Sequence, residues 1–242
     1  MICKGCNEDK KKLIDAHIIP YAFFKRLRKD ANHLNIIGSE NNGRIKKSPK
    51  GEYDQEILCA ECDHELGLYD DYSIKLLIQR ENEFKEICKN GKRLGWEVDF
   101  DFIKLSKFLL SVLWRASISK RPFFNLIDLG PHENIIKENI FCADSGANPN
   151  YQFVLSLFDS DSIADLEKTI LGPYQVKIQG VNYCKLYLLG YVAWVKIDSR
   201  PTPNELSSFT AKESERLKIV ESSFGSSKER SSIVSMHSKL RT

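Results

Sequence analysis

Met1-Ile2-Cys3-Lys4-Gly5-Cys6 and Leu58-Cys59-Ala60-Glu61-Cys62 are the two stretches that organise this chain. Each carries a Cys-x-x-Cys pair. Zinc takes about four ligands in a tetrahedron, and a tight knuckle lets two thiolates occupy two corners without strain. The two pairs therefore predict a structural four-cysteine zinc site at Cys3, Cys6, Cys59 and Cys62, with the N-terminal third folded around the metal. Redox pairs or packed core cysteines are the alternatives. Seven cysteines are an odd number for a disulfide framework, and spaced pairs in a reducing compartment read as metal ligands. Cys88, Cys142 and Cys184 stand alone in apolar surroundings and read as buried packing residues.

The remaining composition is that of a globular protein: 242 residues, 42% hydrophobic and 29% charged, enough for one large domain or two small ones. No run approaches the roughly 18 to 20 apolar residues that span a bilayer, and the first dozen residues lack the apolar middle of a secretory signal. The expected setting is cytoplasmic, without a membrane partner. The net charge of +3 conceals a gradient. Residues 1–50 hold twelve Lys or Arg against five Asp or Glu, whereas residues 51–100 hold six against thirteen. A basic segment beside an acidic one suits a nucleic-acid surface next to a metal pocket, and equally suits ordinary solvated charge.

Three regions emerge along the chain. Residues 1–68 start and end near the cysteine pairs and enclose an apolar stretch from Leu13 to Phe24, a basic helix over Lys25 to Lys29, and a polar loop from Gly38 to Gly51. Residues 69–221 form the second region, with a polar, weakly ordered tail over 222–242. Ile74, Leu77, Ile78, Phe84, Ile87 and Cys88 recur at helical spacing and predict an amphipathic helix ended by Asn90-Gly91. A central core helix is expected from about Asp101 to Ser119, stopped by Pro122. Beyond it, Tyr151 to Phe158, Tyr174 to Ile178 and Tyr183 to Ile197 read as strands, with a turn at Gly180-Val181-Asn182 and a bulge at Gly190. The fold class is α+β with an antiparallel sheet.

Within the cysteine frame lies Asp15-Ala16-His17-Ile18-Ile19-Pro20. A first knuckle, an intervening hairpin, and a second knuckle opening a helix describe a treble-clef-like arrangement. With His-Ile-Ile-Pro following the first knuckle, residues 1–68 resemble the HNH, or ββα-metal, endonuclease family. The resemblance implies that His17 is the general base activating water, while a second divalent ion, Mg²⁺ or Mn²⁺, binds the scissile phosphate. It implies a catalytic-metal ligand just after the second knuckle, at Asp63 or His64. Adjacent helical residues differ by about 100°, so one of these two faces the cation and the other turns away.

Two positions depart from the family pattern. Ala16 stands where many relatives carry an aspartate ligand, leaving Asp15 as a candidate from the same strand face as His17. The family's middle asparagine is replaced by Asp54 and Gln55, and Asn35, Asn41 and Asn42 lie upstream with nothing to hold them at the site. Lys25, Arg26, Arg28 and Lys29 are candidates for phosphate contacts. Arg115 interrupts the apolar central helix, which predicts a pairing with a carboxylate such as Asp128, or a reach toward the site.

The expected function is a metal-dependent endonuclease cleaving DNA in preference to RNA. The resemblance implies a defence or mobile-element setting. The second region would position substrate, answer a regulatory protein or mediate homo-oligomerisation. The alternatives are a zinc-dependent nucleic-acid-binding module that does not cut, and a structural zinc scaffold for protein contacts.

Overall fold

A computed structural model describes residues 1–27, 34–37, 46–48, 52–143, 145–146, 148–158 and 169–223. The chain is a mixture of helices and sheet with an antiparallel-rich arrangement, and the cysteine cluster sits near its N-terminus. The first strand, β1 (Ala16–His17), is only two residues long. Helix α1 (Tyr21–Leu27), strands β2 (Leu34–Ile37), β3 (Lys46–Ser48) and β4 (Tyr53–Asp54), and helix α2 (Ala60–Ile74) follow it. The expected loop from Gly38 to Gly51 thus contains a strand at Lys46–Ser48, which pairs antiparallel with β2; its other residues lie outside the described set. So do Arg28, Lys29, Asn41, Asn42 and the tail from 224 onward.

Helix α2 runs through the expected boundary at residue 68 and widens into a π-helical turn, Lys75–Gln79, where Leu76 and Leu77 are fully buried. The helical spacing of Ile87 and Cys88 misleads. Lys85–Lys89 is strand β5, and Asn90-Gly91 is not a helix end but the turn to β6 (Lys92–Val98). Both turn residues have positive φ, 53° and 72°, the backbone of a two-residue hairpin whose twist matches its strands. Cys88 is accordingly exposed, as is Cys142, and only Cys184 of the three isolated cysteines is a buried packing residue.

The central helix is as expected. α3 (Phe102–Ile118) begins where the Asp101 carboxylate accepts the Lys104 amide at 3.0 Å. Twelve consecutive residues, Leu105 to Ala116, are buried, because α2, α4 (His132–Phe141) and the sheet enclose it. Helix α4 is an element that the periodicity does not announce.

Strands β7 (Phe153–Phe158), β8 (Thr169–Leu171), β9 (Tyr174–Ile178), β10 (Val181–Leu188), β11 (Tyr191–Lys196) and β12 (Leu217–Ser222) complete the fold. The main sheet has the order β5-β6-β12-β7-β11-β10-β9, antiparallel throughout except for β12 beside β7. The long strand expected over Tyr183 to Ile197 is two strands. Leu189-Gly190, with φ of 56° and 83°, reverses the chain as a turn rather than a bulge, and the preceding turn falls at Gln179-Gly180. A smaller sheet joins β3, β2 and β8, the last pairing parallel with β2. One apolar core is continuous from Cys3 to Ile219 and crosses residue 68.

At the end of β11, Asp198 accepts hydrogen bonds from the Arg200 guanidinium and from the amides of Asn182 and Arg200. The Arg200 side chain is the largest cause holding this carboxyl well below the usual carboxylate range. Because the folded-state value is depressed, the stabilisation is present above the ordinary aspartate range and is lost as pH falls toward the folded value. Asp198→Asn is therefore expected to lower the melting temperature at pH 7 by more than at pH 3. Equal losses at both pH values would contradict this assignment.

Candidate metal centre and adjoining site

Two tight backbone segments deliver the four sulfurs. In the first, the Asn7 amide donates to the Cys3 carbonyl at 2.9 Å and closes the knuckle. In the second, Cys59 is the residue before α2 and Cys62 lies in its first turn. The segments are tied by Lys4 N–H to the Ile57 carbonyl at 2.8 Å and by the Cys59 amide to the Cys3 sulfur at 3.3 Å. The Sγ atoms of Cys3, Cys6, Cys59 and Cys62 all lie within 4.8 Å of one another. A Zn–S length of about 2.3 Å gives a tetrahedral S–S edge of roughly 3.8 Å, so a small contraction closes the cluster on the ion.

The donor chemistry suits a dication. Burial pushes the Cys3 thiol up, but the Cys6 and Cys59 amides at its sulfur bring it down to about 7. Burial raises Cys59 to about 11 and raises Cys62 as well, with the Cys3 sulfur adding to both. Four thiols this close cannot all ionise alone, and a bound Zn²⁺ supplies the charge that lets them. The cluster is thus compatible with structural zinc.

Gly5 is required by close approach. A Cβ there would lie 2.6 Å from the Cys62 sulfur and 2.8 Å from its Cβ, with Phe141 at 3.2 Å behind. Gly5→Ala is expected to displace the Cys62 sulfur from the cluster and lower the zinc bound per chain, read by elemental analysis of the purified protein. Gly67→Ala, where an added Cβ meets nothing within 4 Å, serves as the neutral control.

The segment from β1 to α2 hangs on this frame. The Ile14 amide donates to the Leu58 carbonyl at 3.0 Å, and β1 pairs with β4 in the register Ala16↔Asp54 and His17↔Tyr53. Alternation divides the residues. Ala16, at 0% exposure, packs inward, while His17 shares its face with Tyr53 and lies half-buried between the rings of Tyr21 and Tyr53, 5.8 and 5.9 Å away. Its Nε2 is below the surface.

In the first turn of α2, Asp63 is half-buried whereas His64 is exposed. Burial raises the Asp63 carboxyl above the ordinary aspartate range, Arg115 opposes this, Asp70 adds to it, and His17 lowers it further. Asp63 therefore shares one electrostatic neighbourhood with His17, Asp70 and Arg115. Asp63 and Asp70 are two turns apart on one face of α2.

Arg115 joins these parts. It is 1% exposed, and it forks onto both Asp70 oxygens at 2.7 and 2.9 Å while donating from Nη1 to the His17 carbonyl at 2.8 Å. Ser111 takes two further donations, one to its carbonyl and one to its hydroxyl. The expected Asp128 partner is therefore wrong: Asp128 accepts the Gly130 amide within its own turn, and Arg115 reaches the β1–α2 junction instead.

The other candidates are not gathered there. Asp15 is exposed and accepts from Gln55 at 2.7 Å. Asp54 is buried on the far face, accepting from the Glu56 amide and the Ser119 hydroxyl at 2.9 and 2.7 Å. Lys25 is exposed on α1, which also includes Arg26. Among the described residues, the four cysteines are the only group of three or more His, Cys, Asp or Glu side chains close enough to share an ion. Asp70 and Tyr53 are the site residues the sequence reading missed; the i+7 spacing puts Asp70 on the Asp63 face of α2 without naming Arg115 as its partner, and nothing local signalled Tyr53. No helix among the described residues is long and apolar enough to cross a membrane. The chain matches no family model, no curated protein and no solved structure.

Proposed function

We propose that the chain is a metal-dependent endonuclease of the HNH type that hydrolyses phosphodiester bonds in DNA, built on a zinc-braced treble-clef module. The observation that supports this reading is the Arg115 bridge, which ties the His17 carbonyl on β1 to Asp70 on α2, the helix whose first turn carries Cys62 and Asp63. A four-thiolate zinc has no open coordination position, so in this scheme zinc braces and does not react.

A second divalent ion, Mg²⁺ or Mn²⁺, would supply charge stabilisation at the phosphate. Half-buried Asp63 would hold it, whereas Asp15 and His64 are exposed. One protein carboxylate is a sparse ligand set, but Mg²⁺ commonly binds through one or two carboxylates, substrate phosphate and water. His17 would take a proton from water, the water oxygen would form the new P–O bond, and the ester P–O bond would break, its oxygen leaving with a proton from solvent. Arg115 would keep the His17 backbone at a constant distance from α2. Lys25 lies exposed on the helix that follows, suited to a backbone phosphate.

Plasmid nicking with Mg²⁺ or Mn²⁺ is the direct assay. Asp63→Ala is expected to abolish it while zinc content stays unchanged, and His64→Ala is expected to leave most of it. The reverse ranking would transfer the ligand role to His64. The non-cutting module remains the second reading, favoured by the inward-packed Ala16 and by the engagement of Asp54 elsewhere. It predicts DNA retention in a mobility-shift assay with no cleavage in any divalent ion.

A further inference from the structure

The strand pair that carries His17 is tied to the C-terminal end of α3 by one hydroxyl. Ser119, which follows the helix, donates to the buried Asp54 carboxylate of β4 at 2.7 Å, and its oxygen accepts the Arg121 amide at 3.1 Å. Ser119, Lys120 and Arg121 are thereby held against β4. Pro122 opens a short 3₁₀ turn behind them and keeps Arg121 extended, at φ −69° and ψ 127°. From there the Arg121 guanidinium lies over the Tyr53 ring, 5.9 Å from its centroid. Tyr53 is the β4 residue opposite His17, and its ring centre is 5.9 Å from that of the imidazole. Two such legs put the guanidinium within about 12 Å of the His17 ring, a span of about three nucleotides at the rise of one DNA strand.

Lys120 pairs with Glu56 at 3.9 Å, whereas Arg121 is exposed and, among the described residues, its guanidinium makes no ion pair. An arginine resting on an aromatic face is partly ordered in advance and keeps its edge N–H donors for an acceptor. The second ring against His17, that of Tyr21, opens α1, and Lys25 follows it by four residues on the same helix face, also exposed. Each ring that meets His17 thus leads to an exposed cation, Lys25 by way of Tyr21 and Arg121 by way of Tyr53. We propose that Arg121 is a backbone-phosphate contact for duplex DNA, so that the second region, and not residues 1–68 alone, grips the nucleic acid passing His17. This rests on the nucleic-acid reading that the cutting and non-cutting modules share, and it does not depend on His17 acting as a base. The guanidinium takes phosphate oxygens through paired N–H donors and touches no base, so it fixes the position of the duplex and not its sequence.

The test is the salt dependence of binding by the full chain, read by fluorescence anisotropy on two labelled DNA duplexes of unrelated sequence, with no divalent cation added so that the DNA stays whole. Losing one phosphate contact lowers the slope of log affinity against log salt by about one. Arg121→Gln is therefore expected to weaken both duplexes equally, by about tenfold near 0.1 M salt, with the difference closing toward about 1 M. A merely structural loss would weaken binding and leave the slope as it was. Arg121→Lys keeps the charge and should keep the slope. Lys89→Gln, which removes an exposed lysine from the edge strand β5, should match the wild type. An unchanged slope in Arg121→Gln, or a slope lowered as far by Arg121→Lys or Lys89→Gln, overturns the Arg121 assignment and leaves the nucleic-acid reading standing. Absence of binding of either duplex by the wild type at low salt overturns both together.

Discussion

His17→Ala is expected to lower divalent-metal-dependent plasmid cleavage by about 10²- to 10⁴-fold, the range of a positioned general base. The substitution is well suited to the purpose. Arg115 holds the backbone carbonyl of His17, so this tie between α3 and β1 survives the loss of the imidazole. The cysteine cluster is likewise untouched, and zinc content and melting temperature should remain close to those of the wild type. Retention of full cleavage by His17→Ala, measured beside the wild type in Mg²⁺ and Mn²⁺, would remove His17 from the reaction. DNA binding without cleavage in both proteins would instead select the non-cutting module.

Arg115→Leu is expected to cost about 3–5 kcal/mol of stability, the usual consequence of leaving one member of a buried ion pair behind. Asp70 retains only 15% side-chain exposure and would keep a carboxylate with no fork opposite it. The His17 carbonyl and the Ser111 hydroxyl would lose donors in the same step. Asp70→Leu alone should be costly for the mirror reason, whereas the double variant should recover much of the loss, because two apolar side chains leave no uncompensated charge. Urea unfolding of the four proteins closes the cycle. Strict additivity of the two single losses would show that the pair does not act as a unit.

These two predictions differ in how they could be foreseen. His17 is marked by its place in Asp15-Ala16-His17-Ile18-Ile19-Pro20, a local pattern. The Arg115 partner is not, since Asp70 lies 45 residues away and Asp128 is the nearer carboxylate along the chain. Choosing between them requires knowing that α2 and α3 pack together, which follows from core burial and from no feature of either helix alone. The strand β5 was hidden for a related reason. Its residues sit at a sheet edge with most side chains exposed, so Ile87 and Cys88 lack the alternation of a half-buried strand and mimic helical spacing.

The four cysteines and the central helix were determined by the sequence itself. Each knuckle needs only two thiols at short spacing, and α3 needs only an apolar run with a capping aspartate, so these are local properties. Tertiary structure alone decided that Asp63 lies within electrostatic reach of His17, that Asp54 turns to Ser119 instead, and how the parallel pairings of β12 with β7 and β2 with β8 close the sheets. Those outcomes rest on desolvation and distance between segments far apart in the chain, which exist only once the core has formed. The cysteine pairs are legible from spacing for the same reason that the environment of Asp63 is not: each pair is written within four residues, whereas burial is contributed by the whole fold.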